Sequence, residues 1–282
     1  IAEQKAEWVS IQFVPFTFQP KGVCWRLHRL VGEIKKLGRL HVMVHEPWVH
    51  WNFKLPLKQR VLGVVQRFVI KRLFAKYSPD ALSTALPLYQ QALRGIGLNA
   101  QLLPLFGNIV ARQKAGSRRW LEDKCGNLVD GSTILVGFFG FISPLLSQAL
   151  VREFVEQQQR LGKTVAILHA GGMGDAGRGV WRKLEVICGD QVRCLTLGRL
   201  SDDEASSYFN GLDFGLTSYS AIVWGKSSVV ATMREHGLKV IPCGDDVVAS
   251  EKRRPEIALP KEWNVDLAAK AYLNQLTLSN NF

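Results

Sequence analysis

The chain repeats one alternation: short apolar runs of strand length, then longer stretches in which apolar residues return every three or four positions. "EWVSIQFVPF" (7–16) reads as a buried strand running into a loop, and "PKGVCWRLHRLVGEIKKLG" (20–38) as an amphipathic helix region ending at Gly38. "RLHVMVHEPW" (39–48) is a second strand with a polar tip, followed by a helix over 58–76. A short strand at "ALSTAL" (81–86), a helix near "PLYQQALRGIG" (87–97) and a strand at "AQLLPLFGNI" (100–109) complete the first half. From about Val110 to Ser132 the sequence is polar, basic and glycine-bearing, with a short helix expected around 118–123.

The alternation then restarts. "STILVGFFG" (132–140) is a strand, "LLSQALVREFVEQQQRLG" (145–162) a helix, and "KTVAILHAGG" (163–172) a strand entering a glycine-rich loop. "QVRCLTLG" (191–198) is a strand, and Ser201 is the expected N-cap of "SDDEASSYFNGL". "DFGLTSY" (213–219), "KSSVVATMREHG" (226–237) and "LKVIPCG" (238–244) read as strand, helix and strand. Strands alternating with helices predict α/β layers with mostly parallel sheets. The expected organisation is an N-terminal Rossmann-like domain over 1–115, a linker over 116–132 and a second Rossmann-like domain over 133–282.

Composition narrows the functional classes. With 47% hydrophobic and 21% charged residues in 282 positions, the chain is globular and long enough for two domains. No apolar run approaches the ~20 residues that span a bilayer; the nearest, "RVLGVVQRFVIKRLFAKY" (60–77), is interrupted by Arg67, Lys71, Arg72 and Lys76. "IAEQKAEWVS" has neither a basic nor a long apolar segment, so no signal peptide is expected. Five scattered cysteines without CxxC or zinc spacing point to reduced thiols and a cytoplasmic setting. The net charge of +12 favours anionic partners. It is accompanied by no nucleic-acid-binding motif, so nucleic acid is not expected as a partner. The basic 58–76 helix is compatible with a core position or with peripheral contact at a membrane.

"AIVWGKSSVV" (221–230) contains the end of a P-loop signature, but Ser220 stands where the first glycine is needed and bulky apolar residues fill the turn. Backbone cannot wrap a triphosphate through Ile-Val-Trp, so the nucleotide triphosphatase reading is rejected. A helix starting near Lys226, Ser227 and Ser228 can still hold a phosphate at its N-terminus.

Taken in order, "VGFFGFISP", "AILHAGGMGDAG", "VRCLTLGRLSDDEASSYFNGLDFGLTSY" and "GKSSVVATMREHGLKVI" resemble the donor domain of group-1, retaining GT-B glycosyltransferases. The likeness is to a subgroup with a GKS…EHG donor helix. "WVSIQFVPF", "LHVMVHEPW" and "LPLFGNI" are similar to that subgroup's acceptor domain. In such proteins a further strand, glycine-rich loop and helix precede the strand at Trp8, so the resemblance implies an N-terminal domain that is incomplete. It also implies a nucleotide-diphosphate sugar as co-substrate, a glycan, lipid or small molecule as acceptor, and no separate cofactor. No DxD motif is present, and no metal is expected.

The resemblance places the donor diphosphate at Gly225, Lys226, Ser227 and Ser228, with Thr232 toward a ribose hydroxyl. Gly140, Gly171 and Gly172 would line the loops after the first two donor-domain strands. Arg199 and Leu200 follow Gly198 where the base packs. His45 and Glu46 end an acceptor-domain strand, and a role in sugar positioning or on the acceptor hydroxyl is implied for them. Trp48 and Trp51 offer a stacking face. The chain departs from the family at two places: Trp224 and Thr232 stand where it carries two glutamates, and Phe141 and Leu146 where it carries a basic pair. Arg199 and Arg178 are candidates to replace the missing charge. The competing reading is a catalytically degenerate GT-B module that binds without turnover. An epimerase on the same fold would need a carboxylate and histidine set that the sequence does not display.

Overall fold

The computed structural model describes residues 6–49, 56–112, 114–126, 129–189, 192–244 and 263–278. The chain divides into two compact units: one runs to Leu105 and takes in the residues from Asp266 onward, the other is Phe106–Val265. Each is built on a wholly parallel sheet, of four strands in the first and five in the second.

In the first unit, β1 (Trp8–Phe13), β2 (Arg39–Val44), β3 (Ala81–Thr84) and β4 (Gln101–Leu102) lie in that order. Phe13 pairs with Val44 and Ser10 with His41. The period-2 pattern of the strands therefore sorts residues by face. Ile11, Phe13, Val42, Val44 and Leu82 join one apolar core, while Ser10, Gln12, His41 and Ser83 occupy the opposite face. After the single turn α1 (Pro15–Phe18), the helix α2 (Leu27–Leu37) adds Leu27, Val31 and Ile34 to that core at helical spacing. The long α3 (Leu57–Lys76) adds Ile70, Leu73 and Phe74, and α4 (Pro87–Arg94) adds Leu93. The strand expected over 100–109 pairs through only two residues. Leu103 still donates to Thr84 O, but Pro104 has no N–H with which to continue the ladder.

The second unit opens with α5 (Ser117–Cys125), inside the segment expected as a linker. Leu121 and Cys125 are buried there, and the Arg118 guanidinium holds Asp213 at 2.7 Å, Glu122 at 2.8 Å and Thr133 O at 2.5 Å. This stretch is packed structure rather than a spacer, because its apolar residues find a core and Arg118 finds four acceptors, Gly211 O being the fourth. The remaining elements are β5 (Ile134–Phe139), α6 (Gln148–Arg160), β6 (Val165–Ala170), α7 (Gly174–Cys188), β7 (Arg193–Gly198), α8 (Asp202–Gly211), β8 (Phe214–Thr217), α9 (Ser228–Glu235) and β9 (Lys239–Pro242). The expected N-cap at Ser201 is a full capping box with Glu204.

The strand order is β7-β6-β5-β8-β9, so the chain runs outward from β5 and then returns to the other side of it at β8. Apolar clusters cover both faces of this sheet. Tyr208, fully buried, places its hydroxyl 2.9 Å from Phe138 O and 3.2 Å from Leu168 O. Gly137 leaves room for that ring, since a Cβ there would overlap the Tyr208 hydroxyl and Leu212.

The last helix, α10 (Val265–Leu278), was expected with the second domain, yet from Asp266 it groups with the first unit. Its Gln275 side chain accepts from Ser83 Oγ at 2.5 Å, and Tyr272 meets the His41 ring edge-on with centroids 4.8 Å apart. The polar face of the first sheet attracts it, which no property of the final residues alone announces.

Candidate functional site

In an open parallel sheet, ligands collect where the strand order reverses, outside the carboxyl ends of the two strands at the switch. Here those strands are β5 and β8. A hollow of about 280 Å³ opens at that place, lined by Phe138, Phe139 and Phe141 from the β5 end and by Leu216, Thr217, Ser218 and Tyr219 from the β8 end. Its remaining wall is Val223, Lys226, Ser227, Ser228 and Val229. Among the described residues of that lining, Lys226 is the charged one.

The structure refines the expected phosphate helix. Residues Ala221–Lys226 form a 3-10 turn, and α9 begins only at Ser228 with Ser227 as its N-cap. Gly225 is buried in that turn and does not line the hollow; Lys226 ends it. Ser227 Oγ accepts from Val230 N at 3.3 Å, which occupies one first-turn donor. The N–H groups of Ser228 and Val229, also in the first turn, have no acceptor within a helix, and the helix dipole adds partial positive charge there. Thr232 lies one turn further on, buried, with Oγ1 3.4 Å from Asn108 Oδ1, and it does not line the hollow.

Glu235 and His236 end α9 in structural roles. The Glu235 carboxylate accepts from Gly107 N at 2.8 Å; burial raises its pKa and that hydrogen bond opposes the rise. His236 bonds Ser206 Oγ at 2.9 Å and Thr232 O at 2.8 Å, and burial lowers its pKa.

A second hollow, of about 380 Å³, lies by the carboxyl ends of β6 and β7 and the flank of α7. Gly171, Gly172 and Gly198 line it with His169, Met173, Arg178, Trp181, Arg182, Glu185 and Thr196. Gly171 (φ +89°) needs its left-handed conformation, and a Cβ would sit 3.1 Å from Gly140 N. Gly140 lines neither hollow; its carbonyl accepts from His169 Nε2 at 2.7 Å and so fixes that ring. Burial lowers the His169 pKa, and the bond to Gly140 opposes the fall. His169 Nδ1 and Trp181 Nε1 are buried without a protein partner. Arg178 pairs with Asp175. Arg199 is exposed, and Leu200 packs against the core cluster under β5 and β6.

On the first unit, His45 and Glu46 follow β2 directly. His45 Nε2 lies 2.8 Å from Gln12 Oε1. Gln12 Nε2 donates to Ser10 Oγ at 3.0 Å, Ser10 Oγ lies 2.8 Å from His41 Nδ1, and His41 Nε2 lies 3.0 Å from Ser83 Oγ. Because Ser83 donates onward to Gln275, one proton arrangement satisfies the whole series: each histidine donates from Nε2, and Ser10 donates to His41 Nδ1. Burial pushes the His41 pKa down to about 4 and lowers that of His45, which Glu46 partly offsets. Glu46 shares a hollow of about 210 Å³ with Pro15, Phe16, Trp48, Val49 and Tyr89. Trp51 lies outside the described residues.

The structure thus brings Lys226, Ser227 and Ser228 together, and separately Gly171 with Gly172. Thr217, Ser218 and Tyr219 escaped the sequence reading as site residues, although a strand ending in three polar residues is the signal. Ser218 Oγ also accepts from Ser143 N at 3.0 Å, tying the loop after β5 to the β8 end.

No protein-family model and no curated protein matches the sequence. Solved structures do match in fold. HepE (Alr3699) of Anabaena, in complex with UDP, superposes with a TM-score of 0.56 at 12% identity, over 93% of this chain and 69% of that one. In its complex with UDP and glucose the TM-score is 0.52, at 12% identity over 97% and 70%. A UDP-forming α,α-trehalose-phosphate synthase of Burkholderia xenovorans gives 0.56 at 10% identity, over 96% and 73%. At such identities the likeness is one of fold: two Rossmann-like parallel sheets in one chain, the GT-B architecture shared with enzymes that use nucleotide sugars.

Proposed function

We propose that this protein is a glycosyltransferase that moves a sugar, with retention, from a nucleotide-diphosphate donor to a glycan, lipid or small-molecule acceptor. The observation that carries the proposal is the hollow at the β5/β8 switch, where Lys226, Ser227 and the start of α9 converge. Free first-turn N–H groups, a helix dipole and one ammonium suit a diphosphate. When the sugar C–O bond to that diphosphate breaks, negative charge grows on the leaving oxygen, and these groups stabilise it. The acceptor oxygen bonds the same sugar carbon, and the leaving phosphate takes the acceptor's proton. The hollow with Gly171, Gly172 and Gly198 is assigned to the nucleoside end. On the first unit, His45 is assigned to sugar positioning, with Glu46 beside it.

A second reading is a GT-B module that binds without turnover. It is favoured by the lining of the β5/β8 hollow, which among the described residues contains no carboxylate and a single cation. Calorimetric titration with UDP, GDP, ADP and their sugars, followed by assay of sugar release, separates the two. Saturable binding that weakens about tenfold in Lys226→Ala, loss of one charge-assisted bond, supports the donor site. Turnover then supports transfer; binding without turnover favours the second reading. No binding to any of them overturns transfer and leaves a degenerate module that serves as a scaffold or binds another partner.

A further inference from the structure

The outer face of α3 carries an exposed apolar stripe. Leu57, Val61, Val64, Val65 and Phe68 recur at i, i+4, i+7, i+8 and i+11, the spacing of one helix face. All are exposed, Leu57 at 72%, Val64 at 66% and Phe68 at 51%. The helix has already buried its opposite face through Val69, Ile70, Leu73 and Phe74, so the stripe is surplus to the core. Cations flank it: Lys58, Arg72 and Lys76 on one side, Arg67 and Lys71 on the other. Arg72 folds its guanidinium over the Phe68 ring, 5.6 Å from the centroid. Across its 20 residues α3 has no acidic side chain.

We infer that α3 lies in the plane of an anionic membrane surface, its stripe among the acyl chains and its cations at the head groups. A helix of this kind, about 30 Å long, suits interfacial rather than spanning placement, and no described helix is long and apolar enough to cross a bilayer. Basic residues close to an apolar face add attraction to acidic lipid and confer salt sensitivity. A second copy of the chain is the poorer occupant, because a two-fold contact through this stripe would set five exposed cations of each copy against the same five. The inference is independent of sugar transfer, since vesicle binding needs neither donor nor turnover.

The test is flotation of the full chain with vesicles of phosphatidylcholine alone, or with about a third phosphatidylglycerol, at low and high salt. Expected is binding to the acidic vesicles only, weakened at least tenfold by high salt. Leu57→Ser with Val64→Ser and Phe68→Ser should lower it at least tenfold, and so should Arg67→Gln with Lys71→Gln. Circular dichroism melts of both variants should match the parent, because these side chains face outward. If the apolar variant does not fold, the charge variant decides alone. No binding, equal binding to both vesicle types, or undiminished binding by the charge variant overturns the inference. So does a dimer in sedimentation that the apolar substitutions disperse.

Discussion

The two sheets solve the same burial problem differently. In the second unit both faces are apolar, and β5 sends Leu135 to one cluster and Val136 and Phe138 to the other. In the first unit one face is apolar and the other holds a hydrogen-bonded series from His45 through Gln12, Ser10, His41 and Ser83 to Gln275. Polar groups inside the first sheet are thus occupied with one another, whereas those of the second gather at its carboxyl edge, around Lys226 and Ser227. Polarity alone therefore does not mark a ligand site. What distinguishes the second edge is a hollow beside its polar groups.

Lys226→Glu should break that contrast most severely. Losing a charge-assisted bond and gaining repulsion, roughly 3 kcal/mol together, should weaken nucleotide-diphosphate binding about a hundredfold by calorimetry. An unchanged affinity would remove the β5/β8 hollow as donor site. Next in size is acid. His41 protonates near 6.5 when unfolded but only near 4 when folded. Stability is therefore whole above pH 6.5 and falls as the pH drops toward 4, by on the order of 3 kcal/mol. Melting temperatures between those pH values should show the loss, and His41→Gln should reduce it, leaving the shares of His45, His169 and His236. Ser83→Ala removes the Ser83 hydrogen bond to Gln275 Oε1 and leaves the His41 Nε2–H without its acceptor, at a cost of about 2 kcal/mol in denaturant titration. The smallest change is Gln12→Glu on the exposed end of the series. Stability should stay within about 0.5 kcal/mol, while the His45 titration followed by NMR moves upward, toward the new carboxylate.

Much of this contrast was legible in the sequence. "SIQF" alternates strictly, which announces one apolar face and one of another kind. "VAILHA" is apolar nearly throughout, which announces burial on both sides. The order of motifs led to the GT-B fold, and "GKSS" was read as a phosphate seat although its helix starts two residues later than Lys226. Three things were hidden. The polar residues of 110–132 read as a linker because, Glu122 apart, the acceptors of Arg118 lie at Gly211, Asp213 and Thr133, outside any local window. Thr232 sits at helical spacing from the phosphate residues, yet Gly107 and Asn108 close over it. The destination of α10 depends on Gln275 meeting Ser83, a contact 192 residues apart in sequence.

That distant contact sets an order of assembly. A ribosome releases residues 106–265 in one uninterrupted stretch, so the second unit has its whole sequence before the first has its closing helix. Until α10 emerges, His41 and Ser83 lack Tyr272 and Gln275, and the polar side of the earlier sheet stays wet. The part of the protein made first is therefore the part finished last.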